Sequence, residues 1–182
     1  LGLVSGYFGG AVDMVIMRFI DILMAFPGML LAIAIVAVRG TGLFNTIVAI
    51  SVVGVTGYAR LVRSMVLSLR EREYILAART IGVSNLRIIT RHILPNCLNV
   101  VIVQATFGVA SSILAASALS YLGMGAQPPT AEWGAMLNGA KENMRHHPVT
   151  AIAPGVAIMI TVLAINFVGD ALRDALDPRL RI

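Results

Sequence analysis

Seven of the fourteen basic residues of this chain, Arg60, Arg63, Arg70, Arg72, Arg79, Arg87 and Arg91, fall within one short stretch. A guanidinium presents five donors in a planar fork, so a cluster of them suits carboxylate, phosphate or carbonyl groups on a partner. Within the cluster, residues 73–95 also carry Ala77-Ala78, then Gly82, then His92-Ile93-Leu94-Pro95. Methyl side chains at Ala77 and Ala78 let a helix backbone approach another protein closely. Arg79 and Arg87 are placed to reach acidic or carbonyl groups at the rim of a partner groove. The competing reading is an amphipathic hairpin whose arginines bind phospholipid headgroups.

A second set of charges interrupts apolar sequence. Asp13, Arg18 and Asp21 stand near the start of a long apolar run, and Asn166 and Asp170 near the end of the last one. Ionisable groups inside a membrane segment are costly and mark function by default. Arg18 and Asp21 are three apart, so they share a helix face on which a local ion pair can form. A structural part is favoured over substrate binding for these groups. His146-His147 does not read as a metal site, because adjacent side chains diverge and no third ligand has suitable spacing. Cys97 is a lone cysteine, read as a small apolar packing residue. No Gly-x-Ser-x-Gly elbow, His-Glu-x-x-His pair or phosphate loop occurs, so the chain is not read as an enzyme and cannot hydrolyse ATP itself.

The elements that must position these groups follow from composition. The chain is 58% hydrophobic and 13% charged, about half the charge of a soluble domain, which points to the bilayer. Net charge +5 and a sequence pI near 10.1 are assigned to positive-inside bias rather than to nucleic-acid binding. Four apolar runs approach the roughly 20 residues that a spanning helix needs. They cover about 22–38, with a kink at Pro27-Gly28; 43–66, fraying toward Arg60; 98–122; and 149–168. The opening Leu-Gly-Leu-Val-Ser-Gly is read as the tail of a helix that begins upstream.

Segment 71–95 reads as helix, tight turn, helix. Gly82 permits the positive φ of a helix end, Ser84 suits an N-cap for a helix over 85–92, and Pro95 suits the first turn of the next span. The arginine cluster and the C-terminal Arg173, Arg179 and Arg181 are separated by two spans, so both face the cytoplasm. The loop 124–148 then faces outward. Pro128-Pro129 break any helix there, and a short helix starts near Thr130 with Trp133 at headgroup level. Gly6-x-x-x-Gly10, Ser111-Ser112 and Ala115-Ala116 supply small residues for close helix packing.

The pattern Ala77-Ala78-x-x-x-Gly82, nine intervening residues, then His92-Ile93-Leu94-Pro95 resembles the "EAA" loop of ABC-importer permeases. Leu76 stands where that motif has an acidic residue, and His92 where it has an aliphatic one. Both departures, with Tyr74 ahead of the alanines, look like the dipeptide/oligopeptide branch. Three further stretches are similar to that branch: Gly6-Tyr7-Phe8-Gly9-Gly10 through Phe26-Pro27, Leu119-Ser120-Tyr121 through Trp133-Gly134, and Gly169-Asp170 through Leu180. The resemblance covers nearly the whole chain.

It implies an all-α, polytopic transmembrane bundle of the type I ABC importer permease kind. About four complete spans and the tail of another form one permease domain over 1–182, lacking its N-terminal part. It implies an ATPase-docking loop at 72–92 carried by Ala77, Ala78, Arg79, Gly82 and Arg87, with no catalytic residue and no bound metal. ATP and Mg would sit on two separate ATPase subunits. A second permease, an extracytoplasmic binding protein and membrane lipid would be the other partners. The implied cargo is dipeptides or oligopeptides, with glutathione or nickel complexes as alternatives inside the family. Outside it, a secondary transporter accounts for the helices and buried charges but not for the patterned loop. A membrane-embedded hydrolase lacks a facing nucleophile and base.

Overall fold

The structure is a computed structural model that describes residues 1–176. The C-terminal calls on Arg179, Arg181 and Leu180 lie outside the described residues. Among the described residues the regular structure is entirely helical. Helices α1 (Gly2–Phe8), α2 (Gly10–Met24), α3 (Gly28–Arg39), α4 (Leu43–Arg70), α5 (Glu73–Thr80) and α6 (Asn85–Ile88) come first. A π-helical turn over Ile89–Ile93 runs straight into α7 (Leu94–Tyr121), and α8 (Trp133–Ala140) and α9 (Val149–Leu176) complete the set.

Leu43–Arg70, Asn85–Tyr121 and Val149–Leu176 are each long and apolar enough to cross a membrane, and α2 with α3 makes a fourth candidate if counted as one broken span. Only 22%, 11% and 11% of the apolar windows of the first three are buried within the chain. The rest of each span is therefore left for lipid or another subunit to cover.

Four expectations need correction here. The first apolar run is not one kinked helix over 22–38: α2 reaches back to Gly10, the chain breaks at Ala25–Pro27, and α3 starts at Gly28. Proline with its preceding residue biased to extended backbone explains a full break. The second run does not fray near Arg60, because helix α4 continues to Arg70. Arg60 is held there by Asp21, its Nη2 lying 2.9 Å from the carboxylate. Asp21 therefore pairs across to α4 and not with Arg18 on its own helix. The short outer helix begins at Trp133 instead of Thr130, since Glu132 takes the N-cap and its carboxylate accepts from the Ala135 N–H at 2.7 Å.

The described residues divide into two compact units, 1–25 with 54–104, and 26–53 with those from 105 onward. In the first, α1 lies directly on the second half of α4. A Cβ at Gly2 would collide with the Ala59 carbonyl, and one at Gly6 would come within 2.8 Å of the Val66 side chain. Small residues permit this approach, which is how helices gain van der Waals contact in lipid. Arg70 ties the pair by donating to the Gly6 carbonyl at 3.0 Å. Asp13 receives Arg63 through two 2.6 Å hydrogen bonds, a fork-to-fork geometry that sets angle as well as distance.

The second unit is centred on Ala32, Val36, Ala49 and Leu119, with Ile33, Ile50, Val53 and Met124 packed around them. Its α8 sits hard against α7, for a Cβ at Gly134 would overlap the Ser117 backbone. Gly169 of α9 is similarly close to Thr106. Lys141 donates to the Tyr121 carbonyl at 2.7 Å and lies 4.0 Å from the centre of that tyrosine ring.

Candidate functional site

Segment 72–95 forms in the first unit for reasons legible residue by residue. Glu73 opens α5, where a carboxylate complements the helix N-terminus. The helix ends in a Schellman turn. Gly82 takes φ +79°, its N–H bonds the Arg79 carbonyl, and the Val83 N–H bonds the Ala78 carbonyl, both at 3.0 Å. Val83 then packs inward on the cluster beneath, which is the apolar contact such turns bring. Ser84 stands at the N-cap of α6 without a side-chain capping bond.

The expected second helix over 85–92 does not stop before Pro95. Helical structure is continuous from Asn85 to Tyr121, by way of the π turn. A proline in a helix removes a donor and crowds the carbonyl four residues earlier. The wider π turn directly ahead of Pro95 makes room for the ring, so Pro95 is accommodated without a break.

Beneath the segment lies an apolar core of Tyr7, Val66, Ile75, Ala78, Ile88, Ile89, Ile93 and Cys97. Ile75, Ile88 and Ile93 are fully buried. Cys97 is 1% exposed, as its reading as a packing residue required. The alternation of buried and exposed residues splits the two alanines. Ala78 faces inward at 8% exposure, whereas Ala77 is on the outside. Only Ala77 is thus free to meet another protein directly; Ala78 serves the close seating of α5 on its own core.

Arg79 stacks over the Tyr7 ring with its guanidinium carbon 4.9 Å from the ring centre. Arg87 is exposed and, with Ser84, Leu86, Thr90, Arg91 and Pro95, lines an open groove of about 670 Å³. A Cβ at Gly82 would meet nothing within 4 Å, so the turn projects into open space. Leu76, Ile81 and Leu86 are exposed by 44%, 80% and 73%. An outward face that combines large apolar side chains with arginines, on a scaffold with a packed interior, has the make-up of a protein-binding surface.

Two anchoring contacts lay beyond sequence reasoning. The Tyr7 hydroxyl donates to Asn85 Oδ1 at 2.8 Å across 78 positions of sequence. The Arg63–Asp13 pair spans 50 positions. Only the presence of charges inside apolar runs signalled the second; nothing in spacing signalled the first.

A family model for the "Binding-protein-dependent transport system inner membrane component" matches residues 1–182. The chain belongs to that family. It is 52% identical over 181 residues to the dipeptide transport system permease protein DppC of Alkalihalophilus pseudofirmus, covering all of this chain and 60% of that protein. It is 49% identical over 181 residues to the glutathione transport system permease protein GsiD of Pectobacterium atrosepticum, with the same coverage. The chain therefore spans about 60% of the length of these curated relatives. Among solved structures, one of the inward-facing MetNI methionine ABC transporter is similar with a TM-score of 0.66 at 20% identity. That match covers 97% of this chain and 86% of the other, and it concerns the fold. The all-α type I importer permease architecture expected from the sequence is thus the one found.

Proposed function

We infer that this chain is a multi-pass inner-membrane permease subunit of an ATP-driven, binding-protein-dependent importer, with residues 1–182 belonging to one permease domain. The single observation that carries the coupling part of this reading is the form of the 72–95 segment. Its inner face is fastened to a buried core, and its outer face offers Ala77, Ile81, Leu86 and Arg87 unpacked. A surface that must pass force needs both properties, a firm seat and a free face.

In this reading the 72–92 segment and the C-terminus lie in the cytoplasm, and the segment docks on an ATPase subunit that holds ATP and Mg. Gly82 allows the turn, Ala77 the close approach, Arg87 the polar rim contact, and Ala78 and Arg79 hold the segment to the permease. A second permease subunit completes the pathway, and a loaded binding protein delivers cargo to the outer side, where the 124–148 loop lies. ATP binding at a pair of ATPases then favours one packing of the helices over the other. Near-complete switching requires about 5.5 kcal/mol of differential binding. Dipeptides or oligopeptides are the favoured cargo, supported by the likeness to a dipeptide permease. Glutathione is the second reading, on nearly equal identity to a glutathione permease.

The test is Gly82→Trp. Its φ of +79° and the open space around it mean that an indole there points outward, at a backbone cost of about 1–2 kcal/mol. The variant is expected to reach the membrane and remain folded while losing ATPase association and ATP-driven uptake. Normal co-purification of the ATPase with the variant would refute the docking assignment.

A further inference from the structure

We propose that Tyr7 is a positioning residue for transport, the joint through which the docking segment acts on α1. This rests on the docking function inferred for the segment. Three independent contacts converge on this side chain within one compact unit. Its hydroxyl donates to Asn85 Oδ1 at 2.8 Å, at the first position of α6. Its ring lies 4.9 Å from the guanidinium of Arg79, near the end of α5. The ring is 5% exposed and belongs to the same core as Ile75, Ala78 and Ile88. A single residue of α1 thus grips both helices of the segment, on either side of the Gly82 turn.

The rest of α1 is arranged to pass on a displacement of Tyr7. Gly2 and Gly6 bring its backbone against Ala59 and Val66 of α4, leaving no space for even a methyl group. Arg70 of α4 holds the Gly6 carbonyl at 3.0 Å, next to Tyr7 in the chain. Packed interiors respond to a push as bodies and not as fluids. Motion of the segment therefore reaches α4 by way of Tyr7 and α1, in addition to its direct covalent path. The Tyr7 hydroxyl bond is the polar and directional part of this grip. Apolar contacts alone tolerate sliding, whereas a hydrogen bond weakens steeply with angle.

The experiment uses the complete transporter, reconstituted in proteoliposomes with its ATPases, partner permease and binding protein, and a peptide cargo. Tyr7→Phe keeps the ring, its packing and the Arg79 stack, and removes only the hydroxyl. Asn85→Ala removes the acceptor, and Asn85→Asp restores one in the same place. Tyr7→Phe is expected to retain ATPase subunits and ATP turnover, and Asn85→Ala, which lies on the docking segment itself, is compared per ATP hydrolysed. Each should lower cargo moved per ATP hydrolysed about fivefold, the factor carried by one hydrogen bond of ordinary net strength. The double variant should be no worse than either single variant, since both cut the same bond. Asn85→Asp should keep near-normal coupling. Wild-type cargo per ATP in Tyr7→Phe, or multiplicative losses in the double variant, would overturn the proposal while leaving the docking function intact. A wild-type complex that binds no ATPase would overturn both.

Discussion

Replacing Asp13 or Arg63 offers a quantitative probe of how this chain spends charge inside apolar sequence. The two 2.6 Å bonds form a bidentate pair, with side-chain exposures of 30% for Arg63 and 17% for Asp13. Neutral hydrogen bonds between membrane helices average only about 0.6 kcal/mol. Hydrogen bonds to charged groups are worth about 1.5–3 kcal/mol. With both partners mostly covered and two bonds in a fixed plane, the pair belongs to the stronger class. Arg63→Met strands a carboxylate, and should destabilise by about 3 kcal/mol, the low end for breaking a buried pair because some solvent still reaches it. Asp13→Asn should cost less, because the amide oxygen still accepts one bond. The double variant should lose less than the sum, giving a coupling energy of about 1.5–3 kcal/mol. The assay is reversible unfolding of each variant in mixed detergent micelles, read as a double-mutant cycle. A coupling energy at or below about 0.6 kcal/mol, the neutral-pair average, would refute the assignment of this pair as a fastening between α2 and α4.

Other positions give sharper yes-or-no results. Gly134→Ala should destabilise by about 1–3 kcal/mol, the usual cost of overpacking, because its Cβ would overlap the Ser117 backbone. Gly139→Ala, further along α8 with nothing within 4 Å of its Cβ, should be neutral or slightly stabilising when the two variants are compared by thermal denaturation. Cys97 is 1% exposed in the core under the docking segment, so a maleimide should label it only after unfolding. Cys97→Ser, which buries a hydroxyl there, should cost about 1–3 kcal/mol, measured by the same mixed-micelle unfolding.

The sequence made the helical class and the segment 72–95 readable because both depend on local signals. Long apolar runs need no partner to be recognised, and Gly82 carries its turn in its own backbone freedom. The run from Ile22 to Val38 misled because hydropathy weighs apolar residues evenly. It gave the charged α2 residues Asp13 and Asp21 no place in a span until Arg63 and Arg60 were seen to neutralise them across 50 and 39 positions. Arg60 misled in the same way, as a supposed end of helix that proved to be paired mid-helix. The split of Ala77 from Ala78 was hidden because a motif states spacing and not which way a helix is turned. That rotation is decided by Ile75, Ile88 and Ile93, the residues that go down into the core.

The π turn at Ile89–Ile93 fixes a phase. Because α6 and α7 are one uninterrupted hydrogen-bonded rod, the direction in which Leu86 and Arg87 point is set by the residue count between them and the buried Ile93 and Cys97. A π turn holds one residue more than the α-helix it interrupts. Each residue of an α-helix turns the face by about 100°. Losing a single residue here would swing the outer face of α6 away while leaving every residue type of the segment in place. The interval between Gly82 and Leu94-Pro95 is thus an angular setting as much as a distance, and insertions or deletions within it should be far less tolerated than substitutions on its exposed side.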